Sequence, residues 1–323
     1  MAIGCFISPG RSFERAVERL RLAEELGYDT ALTNHIAAWD SLTVLAAYAR
    51  ETERINLGTG VVPIYTRTPA TMAQTAASID TFSGGRMRLG LGVSHKVTVE
   101  GWHGTHIGRP AKEMREYVTI VRAILRGEEP PAGERWQTAF RLAGLDPRPE
   151  LPIWIAALSP VMLRLAGQIA DGVVLWLCNP NYIRDVVVPE VRAGAERAGR
   201  SPDDVTIVAA VPSAAVDDPA PVRETLRGEL LTYFSLPFYR AMLERSGFGD
   251  DLAAFDAAGA KGDIDGMRAA ISDGFLDLLA AIGDADQVQA GVRRYREAGT
   301  TLPAIGPIVR TDADATLRAD GRE

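Results

Sequence analysis

The sequence predicts an α/β protein, a (β/α)8 or TIM barrel, and three observations carry that prediction. Its 323 residues are 46% hydrophobic, ample for one barrel core and long for most other single domains. Short apolar runs alternate with amphipathic stretches through most of the chain, the rhythm of parallel strands joined by helices. No G-x-G-x-x-G turn follows the first run and no phosphate-loop motif occurs, so a doubly wound nucleotide-binding sheet loses its usual support.

The elements follow in order. Ile3–Ile7 reads as a strand, and Ser12–Leu26 as a helix with apolar Phe13, Val17, Leu20 and Leu22, stopped by Gly27. Tyr28–Thr33 is the second strand, followed by a helix from about Ser41 to Thr52 that Asp40 caps. Ile55–Val62 is the third. Gly58 and Gly60 fall where a buried strand would carry side chains, so something approaches the backbone closely there. Thr68-Pro69 opens a helix that runs to Ser83-Gly84-Gly85, and Arg86–Gly92 is the fourth strand. A polar loop leads to a helix from about Arg109 to Leu125. Gly127–Glu150, with Pro130, Pro131, Pro147 and Pro149, breaks the rhythm and is read as an excursion that a hairpin would fill. Strands Ile153–Ala157, Gly172–Cys178 and Val205–Val211 then alternate with helices Pro160–Ala170 and Tyr182–Ala198. Residues 217–283 hold short helical pieces without a convincing strand, a helical insertion in a single domain spanning 1–323. Ala285–Ala298 is a helix, Leu302–Val309 the last strand and Asp312–Arg318 a closing helical turn.

Charge and composition narrow the function. A formal net charge of −7 speaks against nucleic-acid and anionic-membrane partners. No apolar run has the length of a membrane span, and the first strand begins almost at the initiator, leaving no room for a signal peptide; a cytoplasmic location is expected. Cys5 and Cys178 lie in apolar runs with no partner motif and read as buried free thiols. His95, His103 and His106 invite a metal reading, but no carboxylate or thiol pattern of recognised spacing accompanies them, and no metal is expected.

On a barrel, chemistry belongs to the loops at the carboxyl ends of the strands. There the chain carries Asn34-His35, Gly58-Thr59-Gly60-Val61-Val62-Pro63 with Arg67-Thr68-Pro69, Gly84-Gly85-Arg86 with Leu89-Gly90-Leu91-Gly92-Val93-Ser94-His95, Val99-Glu100-Gly101, Ala156-Ala157-Leu158-Ser159-Pro160, and Leu165-Ala166-Gly167 with Ala170-Asp171-Gly172. With these motifs it resembles the luciferase-like family of flavin and deazaflavin oxidoreductases, within it the branch that uses coenzyme F420. The resemblance spans roughly residues 1–212 and returns at 284–309.

The resemblance implies a non-prolyl cis peptide at Gly60–Val61, whose bulge, with Val62, backs the central ring of the cofactor. It implies that His35 stacks near the reactive carbon and handles a proton, work that suits an imidazole because its pKa lies near operating pH. Asn34 beside it replaces an acid common in the family, which would leave His35 without an adjacent carboxylate. Val93, Ser94 and His95 are placed beside the cofactor's ring and ribityl chain. His95 stands where some relatives carry a glutamate and is a second proton-transfer candidate. Trp39 follows at the spacing of an aromatic that lines the substrate face, or packs under the next helix. Ala157, Leu158 and Ser159 precede a helix whose first N–H groups suit a phosphate, with Cys178 and Asn179 as neighbours. The insertion, through Phe234 and Phe238 among its aromatics, would cover the mouth and contact substrate. The implied activity is hydride transfer between C5 of coenzyme F420 and a small organic molecule, an enone, imine or alcohol, in secondary metabolism. The alternative is an FMN-dependent monooxygenase fed by a partner flavin reductase, and a third reading is a non-catalytic flavin-binding protein. A homodimer is expected.

Overall fold

The computed structural model describes residues 1–321. Ten strands form one parallel sheet: β1 (Gly4–Phe6), β2 (Thr30–Thr33), β3 (Asn56–Thr59), β4 (Val62–Pro63), β5 (Met87–Gly92), β6 (Ile153–Ala156), β7 (Gly172–Leu175), β8 (Thr206–Ala215), β9 (Ala281–Gly283) and β10 (Leu302–Pro307). β10 pairs with both β1 and β8, which closes the barrel. β3 and β4 are two pieces of one barrel strand, so the eight expected strands are all present. Phe6, Leu32, Trp154, Val174, Val208 and Ala210 fill the interior. A larger apolar shell, with Leu20, Leu45, Ile79, Ile120, Leu163 and Val292 buried in it, lies between strands and helices.

Local chemistry sets the helix starts. Ser12, Asp40, Thr68 and Ser159 each accept a backbone N–H of the first turn, and Pro69 and Pro160 occupy first helical positions that lack an intrahelical partner anyway. At the amino-terminal face the guanidinium of Arg86, 9% exposed, donates to the carbonyls of Ala49, Thr52, Ile55 and Ser83. That buried, satisfied cation ties three successive barrel units and stands far from the mouth, so its role is cohesion.

The third barrel strand carries the feature that shapes the mouth. On its β2 side pairing continues through Gly60, whose N–H donates to Thr33 at 2.9 Å. On its β5 side Gly58 pairs with Arg88 and pairing resumes only with Val62 opposite Leu91. Thr59, Gly60 and Val61 therefore face only Leu89 and Gly90, a one-residue bulge. The buried Thr59 hydroxyl fills the gap in the ladder: Oγ1 donates to the Gly90 carbonyl at 2.7 Å and accepts the Gly90 N–H at 2.8 Å. A Cβ at residue 90 would sit 2.0 Å from the Thr59 carbonyl oxygen, so only glycine fits.

Three expectations need correction. The 127–150 excursion holds no strand; Glu116 accepts the backbone N–H groups of Glu134, Arg135 and Trp136 and clamps it to the helix Pro110–Leu125. The segment after β5 is a wide π-helical coil over Val97–Trp102 rather than a polar loop. The insertion, helical over Ala220–Phe234, Pro237–Arg245, Gly249–Gly259, Ile264–Ala269 and Asp273–Leu279, does include a strand, β9, which pairs with the end of β8.

Thr59→Val keeps the shape of the side chain and strands two buried backbone groups of Gly90, so it is expected to lower unfolding free energy by about 2 kcal/mol or more. Thr59→Ser keeps the bridging oxygen and loses only a methyl, a cost of about 1 kcal/mol. Urea denaturation of the two variants measures the difference.

Candidate active site at the carboxyl-terminal mouth

The bulge ends in a cis peptide, Gly60–Val61, at the position the resemblance implies. Close packing surrounds it. A Cβ at Gly60 would meet Phe6 Cε1 at 2.6 Å, and one at Gly92 would meet Val61 Cγ2 at 2.6 Å, so the Val61 side chain lies across the glycines of β5. Ser94, Leu177 and Arg310, the three non-glycine residues with positive φ among the described residues, follow β5, β7 and β10 respectively. All three sit at strand exits on one barrel end. Left-handed backbone at ordinary side chains gathers where function constrains a loop.

His35 leaves β2 on this face with its ring mostly buried, 10% exposed. Its Nδ1 accepts the backbone N–H of Ser41 at 3.3 Å and lies 3.0 Å from the Ser41 hydroxyl. A backbone N–H can only donate, so Nδ1 carries no hydrogen and the neutral ring bears it on Nε2. Burial pushes the imidazole below its ordinary pKa; Asp40 opposes that, and Arg67 and His103 add to it. Asp40 Oδ2 lies 4.0 Å from Nδ1, so the carboxylate missing at Asn34 is supplied from the far end of the same loop. Burial works to raise the Asp40 carboxyl, but the Thr43 N–H and the Arg67 guanidinium outweigh it and hold it below its ordinary value. Asp40 is thus both cap and counter-charge.

His95 is half-buried, its carbonyl accepts the N–H groups of Thr98 and Val99, its ring makes no hydrogen bond within the described residues, and burial lowers its pKa. Its ring begins a chain of aromatic contacts: Tyr239 at 6.4 Å, Tyr233 a further 4.9 Å on, then Trp176, whose Nε1–H donates to Tyr233 Oη at 3.1 Å. Trp176 stands edge-on to Phe6 at 5.5 Å, and Phe6 abuts Gly60. The insertion is therefore joined ring by ring to the bulge.

Across the mouth Ser159 caps the helix Pro160–Ile169, accepting the Met162 N–H at 3.4 Å, and the Leu158 carbonyl takes the Tyr182 hydroxyl at 2.8 Å. Asn179 is fully buried; Oδ1 accepts the Tyr182 N–H and Nδ2 donates to Ser246, pinning the insertion to the exit of β7.

Comparison with known proteins agrees with this architecture. Residues 1–302 match the model of the luciferase-like monooxygenase family. The chain belongs to that family. The 5,10-methylenetetrahydromethanopterin reductase of Methanolobus tindarius is 29% identical over all of this chain and 99% of its own. The coenzyme F420-dependent tetrahydromethanopterin reductase of Methanopyrus kandleri shares the fold with a TM-score of 0.83, at 24% identity over 99% of this chain and 98% of its own. An F420-dependent secondary alcohol dehydrogenase, solved with an F420–acetone adduct, has a TM-score of 0.76 at 18% identity, over 99% and 97%.

Within this luciferase-like barrel, several expected residues lie elsewhere than the mouth surface. Phe234 is 1% exposed and packs on Phe255 and Phe275 in the core of the insertion rather than at the mouth surface. Phe238 is 61% exposed. The neighbours Tyr233 and Tyr239 face the barrel instead. The side chains of Cys178 and Val62 are fully buried; both cysteines are free thiols, and burial pushes their pKa up. Trp39 donates Nε1–H to the Gly10 carbonyl and leans on Phe13, a half-exposed rim residue that ties the first two exit loops together. Asn34, Val93, Ala157 and Leu158 remain at strand exits. Trp176 was not singled out from the sequence.

His103 and His106 do not join His95 in a cluster, and among the described residues no three His, Cys, Asp or Glu side chains converge. A cavity of about 490 Å3 between the helix Pro110–Leu125 and the 127–150 excursion includes His106. Its charges are spent internally, Arg109 and Lys112 on Glu134, and Arg135 on Glu113. No helix of the described residues is long and apolar enough to cross a membrane.

Because His35 and His95 are held below the ordinary histidine value of about 6.5, the unfolded chain takes up these two protons first. The associated stability is intact above about pH 6.5 and is lost as pH falls through the lowered folded values. The thermal midpoint should therefore drop between pH 7 and 5. The drop should be shallower in His95→Gln, as a calorimetric pH series would show.

Proposed function

We propose that the protein is a coenzyme F420-dependent oxidoreductase that moves a hydride between C5 of the deazaflavin and a small organic substrate. The observation that carries this reading is the bulged Gly60–Val61 peptide, seated over Phe6 with its valine side chain turned onto β5 and flanked by two neutral histidines. A flat ring system fits such a half-exposed peptide, and the 30% identity to a coenzyme F420-dependent oxidoreductase relative over 89% of the chain supports the deazaflavin over FMN. When bound, the deazaflavin supplies the carbon that carries the hydride.

Each residue then has a task. Gly60, Val61, Val93 and Ser94 hold the ring, and the first N–H groups of the helix after Ser159 receive the phosphate at the positive end of the helix dipole. His35, kept in one tautomer by Ser41, donates from Nε2 to an electronegative atom of the substrate. His95 has both ring nitrogens free and is neutral near pH 7, so it is the group that takes up or returns the proton accompanying the hydride. Trp39 and the insertion limit access of water and set the size of the substrate, an enone, imine or alcohol.

Fluorescence titration with coenzyme F420 and with FMN, each oxidised and reduced, tests the cofactor. Deazaflavin binding tighter than FMN is expected, and tight FMN binding with negligible deazaflavin binding would overturn the proposal. His35→Ala leaves the buried Ser41 N–H without its acceptor and should lower the melting temperature somewhat while still folding, and slow turnover by about 100-fold or more; an unchanged rate would remove its role.

A further inference from the structure

The insertion brings one polar group to the mouth that the reading above does not use. Tyr233 lies on the helix Ala220–Phe234, half-buried, with its ring against Tyr239 and its oxygen against the indole of Trp176. An indole N–H can only donate, so Tyr233 Oη is the acceptor in that bond and its own hydrogen must point elsewhere. Among the described residues no acceptor receives it: the Trp176 contact is the one hydrogen bond found at this oxygen. The indole itself is fixed edge-on against Phe6. The direction of the phenol is thereby set by the barrel, while its proton is left for a ligand.

The charged groups nearby are Glu229, one helical turn before Tyr233, and Arg310 in the loop after β10. Burial favours retention of the phenol proton; the Trp176 N–H works against it and the Glu229 carboxyl with it, so the group serves as a donor at neutral pH. Its other neighbours are rings, Trp176, Tyr239 and, beyond them, His95 and Phe6.

We infer that Tyr233 is a specificity-determining hydrogen-bond donor of the substrate pocket, and that the substrate is a flat, largely apolar molecule presenting a carbonyl or other oxygen acceptor to the insertion. The inference rests on the proposed function and narrows its substrate class.

The test uses the full chain loaded with oxidised coenzyme F420, in which no hydride can be delivered, and 1,4-naphthoquinone as the probe. Infrared difference spectra of the 13C-carbonyl probe should show a band shifted to lower frequency on wild-type protein. The shift should be lost in Tyr233→Phe, with binding several-fold weaker and coenzyme affinity unchanged. Equal bands and equal affinities in the two proteins, or no probe binding to the loaded wild type, would overturn the inference and leave the cofactor reading standing. Failure of the wild type to bind the coenzyme would instead overturn the proposed function, and this inference with it.

Discussion

The Thr59 hydroxyl is the interaction on which the mouth depends. One strand of a parallel barrel carries an extra residue against its neighbour, and a backbone ladder cannot span that mismatch. A side-chain oxygen that both donates and accepts restores both bonds at Gly90, where only a glycine leaves room for the Thr59 carbonyl. Everything above follows from that repair: Val61 settles on the β5 glycines, Phe6 packs against Gly60, and the peptide between them stays half-exposed. An unbridged gap would leave two buried polar groups next to the site, which interiors avoid.

Around this fixed point the strand exits divide the work. The β2 exit supplies a histidine whose tautomer is dictated by a backbone donor, and the β5 exit a histidine whose ring meets Tyr239 and makes no hydrogen bond among the described residues. Two rings of the same kind thereby differ: the tautomer of one is fixed, with its hydrogen on Nε2, and that of the other is not. Environment separates roles that residue type alone leaves identical.

Much of the barrel was legible in the chain because apolar runs, proline-led helix starts and capping side chains agree with one another. The cis peptide, too, was legible, through the glycine-flanked motif that resembles the luciferase-like family, as were Asp40 as a cap and the buried thiols. What was not legible has physical causes. β9 spans three residues and exists only because the end of β8 offers it a ladder, so no local pattern marks it. The aromatics of the insertion occur on more than one face of their helices, and sequence alone does not say which face turns to the barrel; in the structure Tyr233 and Tyr239, rather than Phe234 and Phe238, make the ring contacts toward it. Trp176 and Cys178 lie where β7 ends and Leu177 takes a left-handed turn, so the alternation that would assign inward and outward residues fails there. The excursion at 127–150 is held by one carboxylate from a distant helix, a contact no periodicity announces.

The insertion leaves from the end of β8 and returns through β9 beside it, where the Val216 N–H donates to the Gly283 carbonyl at 2.8 Å. Its two ends are thus clasped together, and whatever lies between them is a detour that begins and finishes at one spot. Such a detour can be lengthened, shortened or exchanged at little entropic cost, since closing it depends only weakly on its length. The barrel is in that sense a socket, and diversification of what it accepts needs no revision of how it is built.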